Sequence, residues 1–287
     1  MKIRKINEQF GIEIDFEGMT PNINYLASFT KEKLVSDGVV LYRNMDMSVG
    51  QYLEFGRSMG RIRPFVDENY QHPEYPEIFV VSNKKTPDTQ FGMDRIGYYW
   101  HSDSSFLPDP LPISALYAQV VPKVGGETAF IDMTEAYVKV DNSLLDEVKG
   151  KSALHEGKWK YMVTDNDVGY SLEELLDRDE KALPAPEHPI VFRHPFNGKM
   201  CLYLTEGISR SIVQIPDLEG QQVISKIWSQ ILATCTQYKH NWCNRDMVLW
   251  DNRRMIHQAY PSTDGSPRML YRLGIEDQEF FLPTMKV

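Results

Sequence analysis

The chain has little cysteine: Cys201, Cys235 and Cys243 are the three in 287 residues. An odd number without a CxxC pair argues against a disulfide scaffold, and a reducing compartment is the simplest setting. Basic charge is also in short supply, with 31 Lys and Arg against 40 Asp and Glu for a net charge of −9. A non-specific nucleic-acid binder needs a basic face, which this balance disfavours; a local basic pocket for an anion stays open. No apolar run nears the roughly 20 residues of a membrane span. The opening MKIRKINEQFGIEIDFEGM scatters charges where a signal peptide has its apolar core. These absences describe a soluble cytoplasmic protein with neither a nucleic-acid nor a membrane partner. Repeats, low-complexity tracts and linkers are missing too. Hydrophobic content of 42% suits a globular core, and one domain over residues 1–287 is expected.

What is there is mostly β. TKEKLVSDG (30–38) reads as a short helix, with Thr30 as N-cap and Gly38 just past the end. VVLYR (39–43) follows as a strand. SVGQYLEFGRSMG (48–60) is a helix opened by a Ser48/Gln51 capping box and stopped by Gly60. EIFVVS, ISALYAQVV and ETAFID are β-rich, and PIVFRH with KMCLYLT forms a hairpin around Pro-Phe-Asn-Gly. Apolar residues at helical spacing mark 218–235, and four β-like runs come after it. Residues 156–188 have weak periodicity, many acids and several prolines, the pattern of a lid-like insertion. Strands fill both halves with little strand–helix alternation. That favours a β-sandwich or barrel dressed with helices over a doubly wound parallel sheet.

The stretch GYYWHSDSSF (97–106) sets an imidazole and a carboxylate two positions apart among apolar neighbours. On an extended segment His101 and Asp103 share a face. Such a pair is commonly just a hydrogen-bonded pair, and a metal needs a third ligand. His257, in the apolar run VLWDNRRMIHQAYP, is the candidate. Two His and one carboxylate on one side of an iron leave its other positions for substrates, as in non-haem Fe(II) oxygenases. A 2-oxoglutarate-using site must also grip that cosubstrate's distal carboxylate, which a fixed Arg fork does well. SPRMLYRLGI supplies Arg268 and Arg272, an even number apart and so on one side of a strand. One suits 2-oxoglutarate, the other an anionic substrate. Thr128 in GGETAFID adds a hydroxyl, though Thr in a strand is also simply a good β-former. Tyr98, Tyr99, Phe65, Tyr70 and His72 lie in segments that approach such a pocket, where aromatic rings pack as readily as they recognise. Lys158 and Lys160 sit in the lid-like insertion and can grip a second carboxylate or merely face solvent.

Taken together, WHSDSSF (100–106), VGGETAFIDMTEAY (124–137) and VLWDNRRMIH (248–257) with the later R-x-x-x-R resemble the taurine dioxygenase / 2,4-dichlorophenoxyacetate dioxygenase family of Fe(II)- and 2-oxoglutarate-dependent oxygenases. The resemblance spans roughly 40–275. It implies a double-stranded β-helix, or jelly roll, mainly β with flanking helices. It implies that His101, Asp103 and His257 bind Fe(II), that Thr128 and Arg268 bind 2-oxoglutarate, and that Arg272 faces the acidic group of a small anionic substrate, with O2 as co-reactant. Homo-oligomers are common in the family. EIFVVSN, the Pro-Asp-Pro after WHSDSSF and LYLTEGI also resemble the isonitrile-forming branch, which acts on N-carboxymethyl amino acids. The sequence departs from that branch at Phe65 and Val66 and at KWKYMVT (158–164). Rival readings are a non-catalytic metal-binding cupin, a zinc hydrolase and a nucleic-acid demethylase. The first has no use for Arg268 and Thr128, the second lacks a general-base motif, and the third needs a basic groove.

Overall fold

A computed structural model describes residues 1–18, 21–65, 70–84, 97–157, 169–171, 173–175, 185–278 and 280–281. The chain divides into two compact units. One comprises Met1–Trp100, Leu111–Asp132 and Thr236–Phe280; the other comprises His101–Pro110 and Met133–Cys235, with Phe281.

The first unit holds two sheets. The larger has eight strands: β1 (Lys2–Lys5), β2 (Ile12–Asp15), β3 (Val39–Arg43), β4 (Arg61–Arg63), β5 (Phe79–Ser82), β6 (Ile113–Val120), β14 (Met247–Asp251) and β16 (Met269–Glu276). They run in the order β1-β2-β3-β14-β6-β16-β4, with β5 also on β16. The smaller sheet is β13-β7-β15, from Gln237–His240, Thr128–Asp132 and Met255–Ala259. Alternation along the strands builds two cores, because successive side chains point to opposite faces. Val40, Tyr42, Ala115, Tyr117, Leu249 and Leu273 join one cluster with residues of α1 (Ile23–Asp37) and α2 (Val49–Met59). Val39, Leu41, Leu116, Val248, Trp250 and Leu270 join a second cluster with Phe130 and Met255 of the small sheet. Helices therefore cover one face of the large sheet and the small sheet covers the other, the layered β-sandwich expected from the strand pattern.

The helix starts refine the sequence reading. α1 opens at Ile23, capped by the Asn22 side chain, which accepts from the backbone N–H of Asn24 and Tyr25. Thr30, the expected cap, lies inside the helix instead; its hydroxyl meets Leu26 O at 2.6 Å and the Tyr42 hydroxyl at 2.7 Å. Gly38 ends the helix with φ +78, a conformation that favours glycine. α2 carries the Ser48/Gln51 capping box as read.

The second unit contains α3 (Met133–Lys139), α4 (Asn142–Val148), the sheet β12-β8-β9 (Ser209–Ile212, Ser152–His155, Glu187–Pro189) and the hairpin β10/β11 (Val191–Arg193, Met200–Leu202). Its long helix α5 (Asp217–Thr234) buries Val223, Ile227 and Ile231 on one stripe. Most of the lid-like stretch, including Lys158 and Lys160, lies outside the described residues. Among the described residues no helix is long and apolar enough to cross a membrane.

Candidate metal and cosubstrate site

The small sheet presents the first functional side chains. In its register His257 of β15 opposes Phe130 of β7, and Ala259 opposes Thr128. Phe130 faces the large sheet, so His257 and Thr128 face it as well. The His257 ring lies 4.5 Å from the Trp250 ring and 6.2 Å from Phe130, between centroids. These contacts fix the imidazole plane and leave it 6% exposed.

The strand carrying His257 also holds the segment that leads into the HxD motif. Ala259 N–H donates to Gly97 O at 2.8 Å, and the Gln258 side chain donates to Tyr98 O at 3.0 Å. Tyr98 itself is exposed. Beyond Trp100, His101 and Asp103 are each 8% exposed, with His101 Nε2 at 3.7 Å from Asp103 Oδ1. Ser104 adopts φ +56, a left-handed backbone that costs a non-glycine residue on the order of 1 kcal/mol. It turns the chain sharply just after the carboxylate. The next turn is clamped by His188, whose Nε2 lies 3.0 Å from both Ser105 O and Leu107 O.

His101, Asp103 and His257 each offer one ligand atom, all within 4.8 Å of one another. Two imidazole nitrogens and one carboxylate oxygen match the donor set of a facial triad for ferrous iron. Burial adds to the fit, because a desolvated carboxylate beside two imidazoles gains most from a cation. His240 belongs elsewhere: its Nε2 meets Asp246 Oδ2 at 3.2 Å, and burial lowers its pKa against the opposing pull of Asp246.

The arginines take different surroundings. Arg272 faces the interior with Leu270; it opposes Phe79 across β5, and its guanidinium lies 5.7 Å from that ring's centroid. Phe65 stacks on Phe79 at 4.0 Å. Arg268 precedes β16. Its Nε donates to Gly126 O at 3.2 Å, two residues before Thr128. Gly126 has φ +77, and a Cβ there would meet Pro122 Cγ at 2.5 Å and Arg268 Cδ at 3.2 Å. The Gly-Gly turn thus makes room for the arginine to reach the Thr128 segment.

His72 is not brought to the Arg272 face. It packs edge-on against Tyr271 and tilts on Tyr75, and Tyr271 points into the helix-side core. Burial lowers its pKa, with Glu74 opposing. Tyr70 is buried, and the adjacent Gln71 bridges to Phe79. Val66 lies outside the described residues. Sequence reasoning missed Trp242, whose indole N–H donates to Thr128 Oγ1 at 3.1 Å across a separation of 114 positions. The alternation of aromatic and polar residues in YKHNWC was the one signal pointing at it.

The alpha-ketoglutarate-dependent 2,4-dichlorophenoxyacetate dioxygenase of Cupriavidus pinatubonensis is 29% identical over 241 residues, 79% of this chain and 81% of that enzyme. The alpha-ketoglutarate-dependent sulfonate dioxygenase of Saccharomyces cerevisiae is 26% identical over 273 residues; the match takes in 90% of this chain and 62% of the yeast enzyme's length. The crystal structure of AAD-2 in complex with Mn(II) and N-oxalylglycine matches with a TM-score of 0.79 at 22% identity, over 95% of this chain and 96% of that one. That likeness concerns the fold, which is the expected jelly roll. The family model described as taurine catabolism dioxygenase TauD, TfdA family matches residues 2–273. A match of that extent takes in the HxD segment, the Gly-Gly turn, His257 and both arginines on one chain, and the chain belongs to that dioxygenase family.

Proposed function

We propose that this Fe(II)- and 2-oxoglutarate-dependent dioxygenase oxidises a C–H bond of a small anionic substrate: an amino acid derivative, a carboxylate or a sulfonate. The observation that carries the reading is the approach of His101, Asp103 and His257, whose ligand atoms lie within 4.8 Å of one another. Those three hold the metal. Ferrous iron with 2-oxoglutarate and O2 supplies the oxidising power there, and succinate and CO2 leave as products.

The chain's own residues bind, orient and exclude water. Thr128 and Arg268 hold the distal carboxylate of 2-oxoglutarate through a hydroxyl and a guanidinium, each donating a charge-assisted hydrogen bond to it. Arg272 takes the acidic group of the primary substrate, with the Phe79 ring fixing its plane. Both 2,4-dichlorophenoxyacetate and sulfonates, named for the two relatives, are anions that a guanidinium binds well. Tyr98 and Tyr70 line the approach, and Lys158, outside the described residues, is a further candidate to grip a substrate carboxylate. His72 supports Tyr271 rather than touching substrate. Three free thiols suit a cytoplasmic setting, and the active form is a homo-oligomer.

A screen of small acids for substrate-coupled succinate release tests the reading. At least one aryloxyalkanoate, sulfonate or amino acid derivative is expected to raise succinate release well above the uncoupled rate. Arg272→Ala is expected to raise that acid's KM on the order of 10²-fold. Succinate release that no acid stimulates, or a KM indifferent to Arg272, contradicts it.

A further inference from the structure

The proposed function leaves open how Thr128, a single neutral hydroxyl, is made ready for a carboxylate, and the answer below rests on that reading of Thr128. A threonine hydroxyl has one hydrogen and can turn it to any acceptor in reach. Here its oxygen receives the indole N–H of Trp242 at 3.1 Å. An indole nitrogen only donates, so Thr128 Oγ1 must accept, and its own hydrogen is committed to a different direction. The side chain has little other freedom. Thr128 is 1% exposed, sits in β7, and as a β-branched residue is stiff at χ1. The adjoining turn is fixed as well, because Arg268 Nε is bound to Gly126 O. Hydroxyl and guanidinium are thereby both tied to the Gly126–Thr128 stretch, one as part of it and the other bound to its backbone.

Trp242 is itself held from behind. Its ring meets the His240 ring edge-on at 4.6 Å, and His240 pairs with Thr128 in the β7/β13 register. His240 Nδ1 contacts the Tyr238 hydroxyl at 3.0 Å and its Nε2 lies 3.2 Å from Asp246. Asp246 in turn accepts from Cys243 N–H at 2.8 Å and from Arg43 at 2.5 Å, and Arg43 also reaches Glu13. The run of polar and ring contacts from β2 and β3 through Asp246 and His240 to Trp242 ends on one atom, Thr128 Oγ1.

We propose that Trp242 is a positioning residue for 2-oxoglutarate: its N–H fixes Thr128 as a donor before the cosubstrate arrives. The donor then needs no reorganisation on binding, which is where such preorganisation gains affinity.

Trp242→Phe keeps a ring and removes the N–H; Thr128→Val removes the hydroxyl. The readouts are the anaerobic 2-oxoglutarate Kd of the Fe(II) protein, KM for each substrate, and kcat. Trp242→Phe is expected to raise the 2-oxoglutarate Kd about three- to tenfold, with kcat at saturation and the primary substrate's KM within about twofold. Thr128→Val is expected to raise Kd at least as much, and Trp242→Phe to add nothing in the Thr128→Val background. Effects that multiply in the double variant, or a Trp242→Phe Kd equal to wild type, overturn the proposal. An unchanged Kd in Thr128→Val instead sinks the placement of Thr128 at the cosubstrate. Should Trp242→Phe fail to fold, Thr128→Ser serves with Trp242 intact. The indole still claims the hydroxyl oxygen, so Kd stays within about twofold of wild type, whereas a Kd matching Thr128→Val contradicts the proposal.

Discussion

His257 and His188 are both buried, at 6% and 2% exposure, yet they meet different chemistry. His257 shares a strand face with Thr128, and its ligand atom lies within 4.8 Å of those of His101 and Asp103. His188, in the second unit, meets two backbone carbonyls; its ring lies edge-on to those of His155 and Tyr203 and tilts against Phe281. Its neighbour His155 stacks on Tyr203 and reaches the Ser209 hydroxyl at 3.2 Å. Burial pushes His155 well below the ordinary histidine range and His188 down to about 4. Residue type and burial are thus the same in the two regions. What differs is whether the partner is a carboxylate that invites a cation or a carbonyl that needs a neutral N–H. A histidine of the first sort is placed to serve as a ligand, and one of the second is a clamp on the chain that follows Asp103.

Substitutions should separate the two regions by readout. The largest effect belongs to the ligands. Asp103→Ala or His257→Ala is expected to lower coupled succinate release on the order of 10³-fold or more, with the melting temperature little changed. Retained turnover in either variant would remove that residue from the metal site. Next comes Arg268→Ala, expected to raise the KM for 2-oxoglutarate on the order of 10²-fold while kcat at saturation survives. A uniform fall in kcat would show that Arg268 acts elsewhere.

The smallest effect sits in the second region and appears in stability. A histidine whose folded pKa is depressed leaves the unfolded chain holding more protons, so stability is fully present above the unfolded pKa and declines as pH falls toward the folded one. For His188 that window runs from 6.5 to about 4. By pH 5 the loss amounts to roughly 2 kcal/mol. His188→Asn is expected to flatten the decline in unfolding free energy between about pH 7 and pH 5, measured by urea denaturation, and to leave the 2-oxoglutarate KM alone. An equally steep decline in the variant would mean that another group sets the acid sensitivity.

The legible parts of the molecule are those governed by short-range rules. Strand alternation, the Ser48 box and the Gly38 stop are set by neighbours two to four positions away, and the structure has them. The sequence points to Thr30 as the start of α1 because a hydroxyl suits a cap and an interior bond to a carbonyl four residues back equally well. Tyr42, on the next strand, offers Thr30 a second partner inside. His101, Asp103 and His257 were readable because the chemistry restricts them to a few residue types in motifs with recognisable flanks. The bond from Trp242 to Thr128 was not, since nothing local marks a donor for an acceptor 114 positions away. The sequence puts His72 in a segment that approaches the pocket without saying which face its ring takes. One residue of register on β16 puts Tyr271, and the ring packed on it, on the opposite face.

The most direct measurement is an anaerobic titration of the protein with Fe(II) and then 2-oxoglutarate, followed by the weak visible charge-transfer band of the chelate. A saturable band that needs both additions, and that disappears in His257→Ala and Asp103→Ala, is predicted. Wild-type protein that retains Fe(II) without developing the band, or variants that develop it as wild type does, would contradict the account.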